Sequence, residues 1–238
     1  MTLKTVMFDM YGTLAGFDPP REQIQSAVLV NYGLEVTKEG IDAGYHLADQ
    51  FMTTQNASQP VRTLNPNEQW TFFARYEQLV LKGAGHDVDL AVAGEIWAHI
   101  RKQEYRIALF PDVVAGLDEA RKLGLSVGVI SNMNTTGERL AEDMGLVGHV
   151  DWVVTSGETG SEKPDPYIFE VGLQKASALP GEAIVVGDQL DSDIAGGLGA
   201  GISPVLMDRY NGHPEYTTHP RVTDMRSTIE LLKTLIDR

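Results

Sequence analysis

The sequence predicts an α/β protein: a doubly wound parallel sheet with a helical unit inserted early in the chain. Three observations carry this. Five short apolar runs, at 5–10, 126–132, 152–156, 183–188 and 203–208, consist mostly of Val, Ile, Met and Phe without clean alternation, as strands buried on both faces do. Segments of helix length, with apolar residues recurring about every 3.6 positions, separate the later runs, and strand–helix–strand alternation implies right-handed crossovers. The interval from 14 to 110 holds amphipathic helical stretches and no convincing strand.

Taken in order, the first run opens the sheet. Helical stretches follow at 20–32, 37–53, 66–81 and 88–104, with breaks at 56–60 and 83–86 where Gly, Pro and Asn cluster. Phe110 and Pro111 mark the return to the sheet, whose helices are expected at 113–123, 137–144, 167–177 and 193–199. Residues 210–220, rich in Gly, Pro, His and Thr, read as an irregular surface loop, and 225–236 as a last helix. The expected organisation is a Rossmann-like core from 1–15 and 109–238 with a helical domain over 16–108.

Composition limits the function. The chain has 238 residues, 42% hydrophobic and 22% charged, enough for one α/β domain and a smaller module. Its 19 Lys+Arg against 33 Asp+Glu give a net charge of −14, which repels nucleic acid and anionic membrane. The expected partner is a small molecule, and an anionic one needs a local positive spot. The sequence allows a homodimer. Cysteine is absent, which removes disulfides, zinc–thiolate sites and a cysteine nucleophile. No secretory signal is visible and no apolar run reaches about 18 residues, so a cytoplasmic protein without a transmembrane helix is expected.

Ligands of parallel sheets bind beyond the carboxyl ends of the strands. The first run ends in Asp9, followed by Tyr11, Gly12 and Thr13; the second in Ser131 and Asn132; the fourth in Gly187 and Asp188, with Asp191 and Asp193 behind. A Lys-Pro-Asp-Pro turn at 163–166 opens the helix after the third run, where proline suits a helix start. One edge then gathers carboxylates, a hydroxyl donor and an amine. Singly these residues have plain readings. Ser131 and Asn132 suit helix caps, Lys163 a solvated charge, and Asp191 a solvent-facing acid.

Together they resemble the haloacid dehalogenase superfamily of hydrolases, through FDMYGTL at 8–14, VISN at 129–132, Lys163 in EKPDP and VGDQLDSD at 186–193. The helical interval fits that superfamily's α-helical cap. The resemblance implies Asp9 as nucleophile, oriented by Thr13, with Ser131, Asn132 and Lys163 holding the substrate group. It implies Mg²⁺ bound by Asp9, Asp188 and the Tyr11 carbonyl, with Asp193 supporting the metal site.

Two features of the motifs point in opposite directions. Phosphatases of the superfamily carry D-x-D-x-T, whose second Asp is the general acid and base; here Tyr11 takes that place, as in the D-x-Y-G-T of 2-haloacid dehalogenases. A halide leaves without a proton, whereas an alkoxide needs one, and losing a positioned acid costs about 10²–10⁴ in rate. Yet dehalogenases replace the fourth-motif Asp by Ser and follow it with Asn, where this chain has Asp188 and Leu190. They also carry a Tyr where it has Phe169, and neither Arg21 nor Arg62 stands at their cap arginine.

Charge decides for a metal. Asp9, Asp188 and Asp193 facing Lys163 leave about two uncompensated negative charges, and packed carboxylates protonate or recruit a cation. Mg²⁺, an oxygen-seeking ion, fits, and it favours phosphoryl substrates. The expected function is Mg²⁺-dependent hydrolysis of a phosphoester with a good leaving group. The alternatives are (S)-2-haloacid dehalogenation through an ester at Asp9, and a catalytically silent binding protein of the same fold. Tyr45, His46, Gln69, Trp70 and Arg75 are the cap candidates for substrate choice, with helix packing the plainer role for Trp70, Phe72 and Phe73.

Overall fold

The computed structural model describes residues 2–236; positions 1, 237 and 238, the outermost of the expected core domain, lie outside the described residues. The chain divides into two compact units. One is Phe17–Ile107, and the other joins the N-terminal stretch through Gly16 to everything from Ala108 onward.

The second unit is a six-stranded, all-parallel sheet. Its strands are β1 (Thr5–Phe8), β4 (Ser126–Ser131), β5 (Trp152–Thr155), β6 (Ala183–Gly187), β7 (Ser203–Met207) and β8 (Arg221–Val222), in the order β5-β4-β1-β6-β7-β8. The absence of alternation in the sequence has a direct cause. Val6, Phe8, Ile184 and Val186 point into one apolar cluster, while Met7 and Val185 point into another on the opposite face. Each such buried side chain contributes about 1.5–3 kcal/mol relative to exposure. The helices α5 (Val113–Lys122), α6 (Gly137–Asp143), α8 (Pro166–Ala176), α9 (Ala195–Gly199) and α10 (Met225–Ile236), with the single turn α7 (Ser156–Thr159), complete this unit.

Register positions the edge that matters. Phe8 lies opposite Val129 on one side and Val186 on the other. Asp9 follows Phe8 directly, and Ser131 and Asp188 each come two residues after its partners, so the three strands end together.

The Phe17–Ile107 unit contains α1 (Arg21–Leu29), α2 (Lys38–Ser58), α3 (Pro66–Gly83) and α4 (Leu90–Ile100). The starts of α2, α3 and α4 obey capping chemistry. Thr37 accepts from Gly40 N, Asp89 accepts from Val92 N, and Asn65 forms a reciprocal capping box with Glu68 ahead of Pro66.

The structure corrects the sequence reading between 14 and 110. Two strands occur there, β2 (Ala15–Asp18) and β3 (Arg106–Leu109), paired as a separate two-stranded sheet. They are four residues each, and β3 is exposed at Arg106 and Ile107, so neither presents the continuous apolar run of a core strand. The two-residue β8 likewise carries too little pattern to be read. It is held by the loop before it, where Asp208 accepts from Gly212 N, His213 N and Arg221 Nε.

Of the cap candidates, Tyr45 is buried beneath the Arg21 guanidinium at 4.3 Å, and Gln69 donates to the carbonyls of Val61 and Leu64. His46 bonds Gln50, and Arg75 bonds Gln78. Trp70 is 43% exposed. Phe72 stacks on Phe51 at 4.9 Å and Phe73 on Trp97 at 4.7 Å, the packing role.

The helical unit also buries a polar trio. Gln25 Nε2 donates to Tyr45 Oη and to Glu77 Oε2, both at 3.2 Å. Burial pushes the Glu77 carboxyl up from 4.5 to about 7, against the smaller opposing effect of the Gln25 bond. Between these values the unfolded chain has released a proton that the folded one retains, so folding stability falls as pH rises from 4.5 to 7 and is level above that. The loss is on the order of 3 kcal/mol. In urea titrations, the midpoint should drop between pH 5 and pH 8, and Glu77→Gln should make that drop smaller by the Glu77 share, the rest coming from the other raised carboxyls, Asp9 and Asp188. An unchanged slope in the variant would contradict the assignment.

Candidate active site

The site is built entirely within the sheet unit. Asp9 extends β1 by one residue, donating its backbone N–H to the Val186 carbonyl at 2.9 Å. The chain then turns tightly. Leu14 N and Ala15 N both donate to Met10 O at 2.8 Å, and Gly12 N donates to Ala15 O at 2.8 Å. Tyr11, half-buried, forms a single bridge with Ala15. Gly12 has φ +90°, and a Cβ there would lie 2.2 Å from Asp188 Oδ2. Glycine is therefore required twice, for the left-handed backbone and for the approach of a carboxylate.

After β6 the chain makes one wide turn of π-helix, Leu190–Ile194, a local form frequent at functional sites. Asp193 N and Ile194 N both donate to Gln189 O, and Gln189 N returns a bond to Asp193 Oδ2 at 3.0 Å. Asp193 thereby folds back over Gly187, where a Cβ would meet its carboxylate at 2.4 Å. Asp191, on the same turn, is exposed.

Lys163 enters just before α8, whose start is fixed by Asp165 accepting from Tyr167 N and by Pro166 in the first turn. Its backbone is gripped by one side chain: Asn132 Oδ1 accepts from Lys163 N at 2.7 Å, and Asn132 Nδ2 donates to Lys163 O at 3.0 Å. Both amide atoms of Asn132 are thus directed at the lysine backbone. The buried ammonium donates to Asp9 Oδ1 at 2.5 Å and to Asp193 Oδ1 at 2.6 Å.

Electrostatics follow from this packing. Burial raises the Asp9 carboxyl to about 6, with Asp193 adding to the rise and Lys163 opposing it. Burial, then Asp9 and Asp193, push Asp188 well above the usual carboxylate range. For Lys163, burial works against the charge, but Asp193 and Asp9 outweigh it and hold the ammonium above its usual range. One cation faces three carboxylates whose oxygens lie within 4.8 Å of one another.

That donor set is all oxygen, as Mg²⁺ requires. Asp188 Oδ1 is buried with no hydrogen-bond partner among the described residues, so a ligand position is open to a cation. Thr13 Oγ1 is likewise buried and unpartnered, and Ser131 is buried at the end of β4. The structure brings Asp9, Lys163, Asp188 and Asp193 together. Gln189, which anchors Asp193 through a backbone N–H, carried no side-chain signal that sequence reasoning could find.

Gly12→Ala puts a methyl group against Asp188 and costs about 1–2 kcal/mol in backbone strain. It should lower the melting temperature and abolish any thermal shift that added Mg²⁺ produces in the unaltered protein. Gly160→Ala has the same strain at φ +70° but nothing within 4 Å, so it should lower the melting temperature while keeping the Mg²⁺ shift. Equal Mg²⁺ shifts in both variants would count against the cradle.

The family model of haloacid dehalogenase-like hydrolases matches residues 3–201. The ribulose-1,5-bisphosphate 5-phosphatase of Halopiger xanaduensis is 30% identical over 209 residues, covering 85% of this chain and 84% of its own. The glyceraldehyde 3-phosphate phosphatase of Methanothermobacter thermautotrophicus is 29% identical over 213 residues, covering 87% and 86%. Among solved structures, the 2-haloacid dehalogenase of Pseudomonas syringae pv. Tomato superposes with a TM-score of 0.55 at 23% identity, over 98% of this chain and 99% of its own, a likeness of fold. A motif set in order along the chain, a parallel sheet delivering it to one edge, and a family match over most of the length agree: the chain belongs to the haloacid dehalogenase-like hydrolases.

Proposed function

We propose that the chain is a Mg²⁺-dependent phosphatase acting on a small phosphorylated molecule, with Asp9 as nucleophile. The observation that carries this reading is the convergence of Asp9, Asp188 and Asp193 on the single ammonium of Lys163. The two relatives named for ribulose-1,5-bisphosphate and glyceraldehyde 3-phosphate support a phosphorylated substrate.

In this reading Asp9, Asp188 and the Tyr11 carbonyl hold Mg²⁺, supported by Asp193; when bound, the ion neutralises charge on the phosphoryl oxygens. Asp9 attacks phosphorus in line through the oxygen that Lys163 does not hold. The bond to the leaving oxygen breaks, an aspartyl phosphate forms, and water then cleaves it to free phosphate and Asp9. Lys163 keeps Asp9 ionised against the pull of burial, and its charge faces the incoming anion. Asn132 acts on the backbone of Lys163, aiming the ammonium, while Ser131 and Thr13 offer hydroxyls at the same edge. By the family resemblance, the helical unit is the counterpart of a substrate-selecting cap.

The first motif supplies a phenol at Tyr11 where a carboxylic acid would protonate the leaving group. The reaction should therefore depend steeply on leaving-group basicity: aryl and acyl phosphates turn over faster than alkyl phosphates by about 10²–10⁴. Rates across a substituted phenyl phosphate series measure this directly, and a flat series under single-turnover conditions refutes it. Asp9→Asn should reduce turnover to background, and EDTA should abolish activity, restored by added Mg²⁺.

Tyr11 also favours a second reading, displacement of halide from a 2-haloacid with an ester formed at Asp9. Chloride release from 2-chloropropionate by EDTA-treated protein would establish it and remove the metal from the mechanism.

A further inference from the structure

Beyond the site, one buried cation on β7's exit has no place in the chemistry above. Arg209 follows the last residue of β7 by two positions, and its side chain is only 9% exposed. Its Nε donates to the carbonyl of Thr13 at 2.7 Å, and its Nη1 donates to Asp112 Oδ2 at 3.1 Å. The guanidinium lies over the Phe110 ring, 4.3 Å from its centroid. Asp112 Oδ2 also accepts from Met225 N at 2.9 Å, tying the same carboxylate to the start of α10. Phe110 N in turn donates to Leu14 O at 3.0 Å.

These contacts meet on the turn that follows Asp9. The turn's internal bonds use the carbonyls of Met10 and Ala15. Thr13 is wholly buried, and a buried carbonyl without a donor costs about 1–3 kcal/mol. Arg209 supplies that donor with a charge, which strengthens the bond. Its planar fork allows one side chain to hold the Thr13 carbonyl and Asp112 at once, a geometry an ammonium does not reproduce.

We propose that Arg209 is a positioning residue for the reaction: by bonding the Thr13 carbonyl it locks the turn after Asp9 in the one conformation that admits Asp188 beside Gly12. The kinetic part of this inference rests on the phosphatase reading; the structural part does not.

Hydrogen–deuterium exchange of the amides at 10–15, with p-nitrophenyl phosphate turnover in parallel, tests it on the full chain. In Arg209→Ala, exchange in this segment should rise at least about tenfold and kcat should fall at least about tenfold, with KM nearly unchanged, as expected for a misplaced reacting group. Ethylguanidinium added to Arg209→Ala should restore part of kcat, and should not do so in Asp9→Asn. Arg209→Lys, which keeps the charge and loses the fork, should accelerate exchange at 10–15 while preserving protection elsewhere. It decides the matter if the alanine variant loses protection throughout. Arg226→Ala, which removes an exposed helix pair with Glu230, should match the wild type in both readouts. Wild-type exchange at 10–15 in Arg209→Lys overturns the proposal whatever the activity. Wild-type protein that leaves p-nitrophenyl phosphate intact refutes the phosphatase reading instead, and the exchange result still decides the role of Arg209.

Discussion

The ammonium of Lys163 is the constraint around which the sheet edge is arranged. Buried, it demands carboxylates, and it has two, from β1 and from the turn after β6. Removing one partner of such a group leaves an uncompensated buried charge, which costs about 3–5 kcal/mol. The same bonds couple segments far apart in sequence, since Asp9 and Lys163 are 154 residues apart. Holding that contact requires β1 and β6 in register and the lysine backbone fixed by Asn132. The fold is thus committed to the geometry of one charge cluster.

Three carboxylates around one ammonium are nevertheless too many. The upward shifts of Asp9 and Asp188 share burial as their main cause, and a second positive charge relieves both. Two small residues leave the room: Gly12, for Asp188 to approach, and Gly187, for Asp193 to fold back. A divalent cation with oxygen ligands would satisfy the orphaned Asp188 Oδ1 and the charge excess together.

How much of this was legible in the sequence depends on how each feature is encoded. The buried strands were legible because a sheet covered on both faces leaves no polar alternation, and Asp9, Ser131 and Asp188 because they stand directly at the ends of such runs. β2, β3 and β8 were not, since none of them presents a continuous apolar run. The resemblance sets Asn132 among the residues that hold the substrate group; its two bonds to the Lys163 backbone, 31 residues away, have no local pattern to announce them. The Arg209–Asp112–Thr13 arrangement was equally silent, because its members belong to three separate segments brought together by the sheet order.

The remaining tension is between the two ends of the motif set, and magnitudes resolve it. A positioned general acid is worth about 10²–10⁴, or roughly 3–5 kcal/mol, and only when the leaving group needs a proton. Preorganised charge at the transferring group acts on every phosphoryl substrate and is usually the larger contribution. In the phosphatase reading Tyr11 removes the first of these and leaves the second, which Lys163 and a cation held by Asp9, Asp188 and Asp193 would supply. In the phosphatase reading, a site of this kind keeps most of its catalytic power toward leaving groups stable as anions and loses it toward alkoxides, so the first motif restricts the substrate range while the fourth sets the reaction.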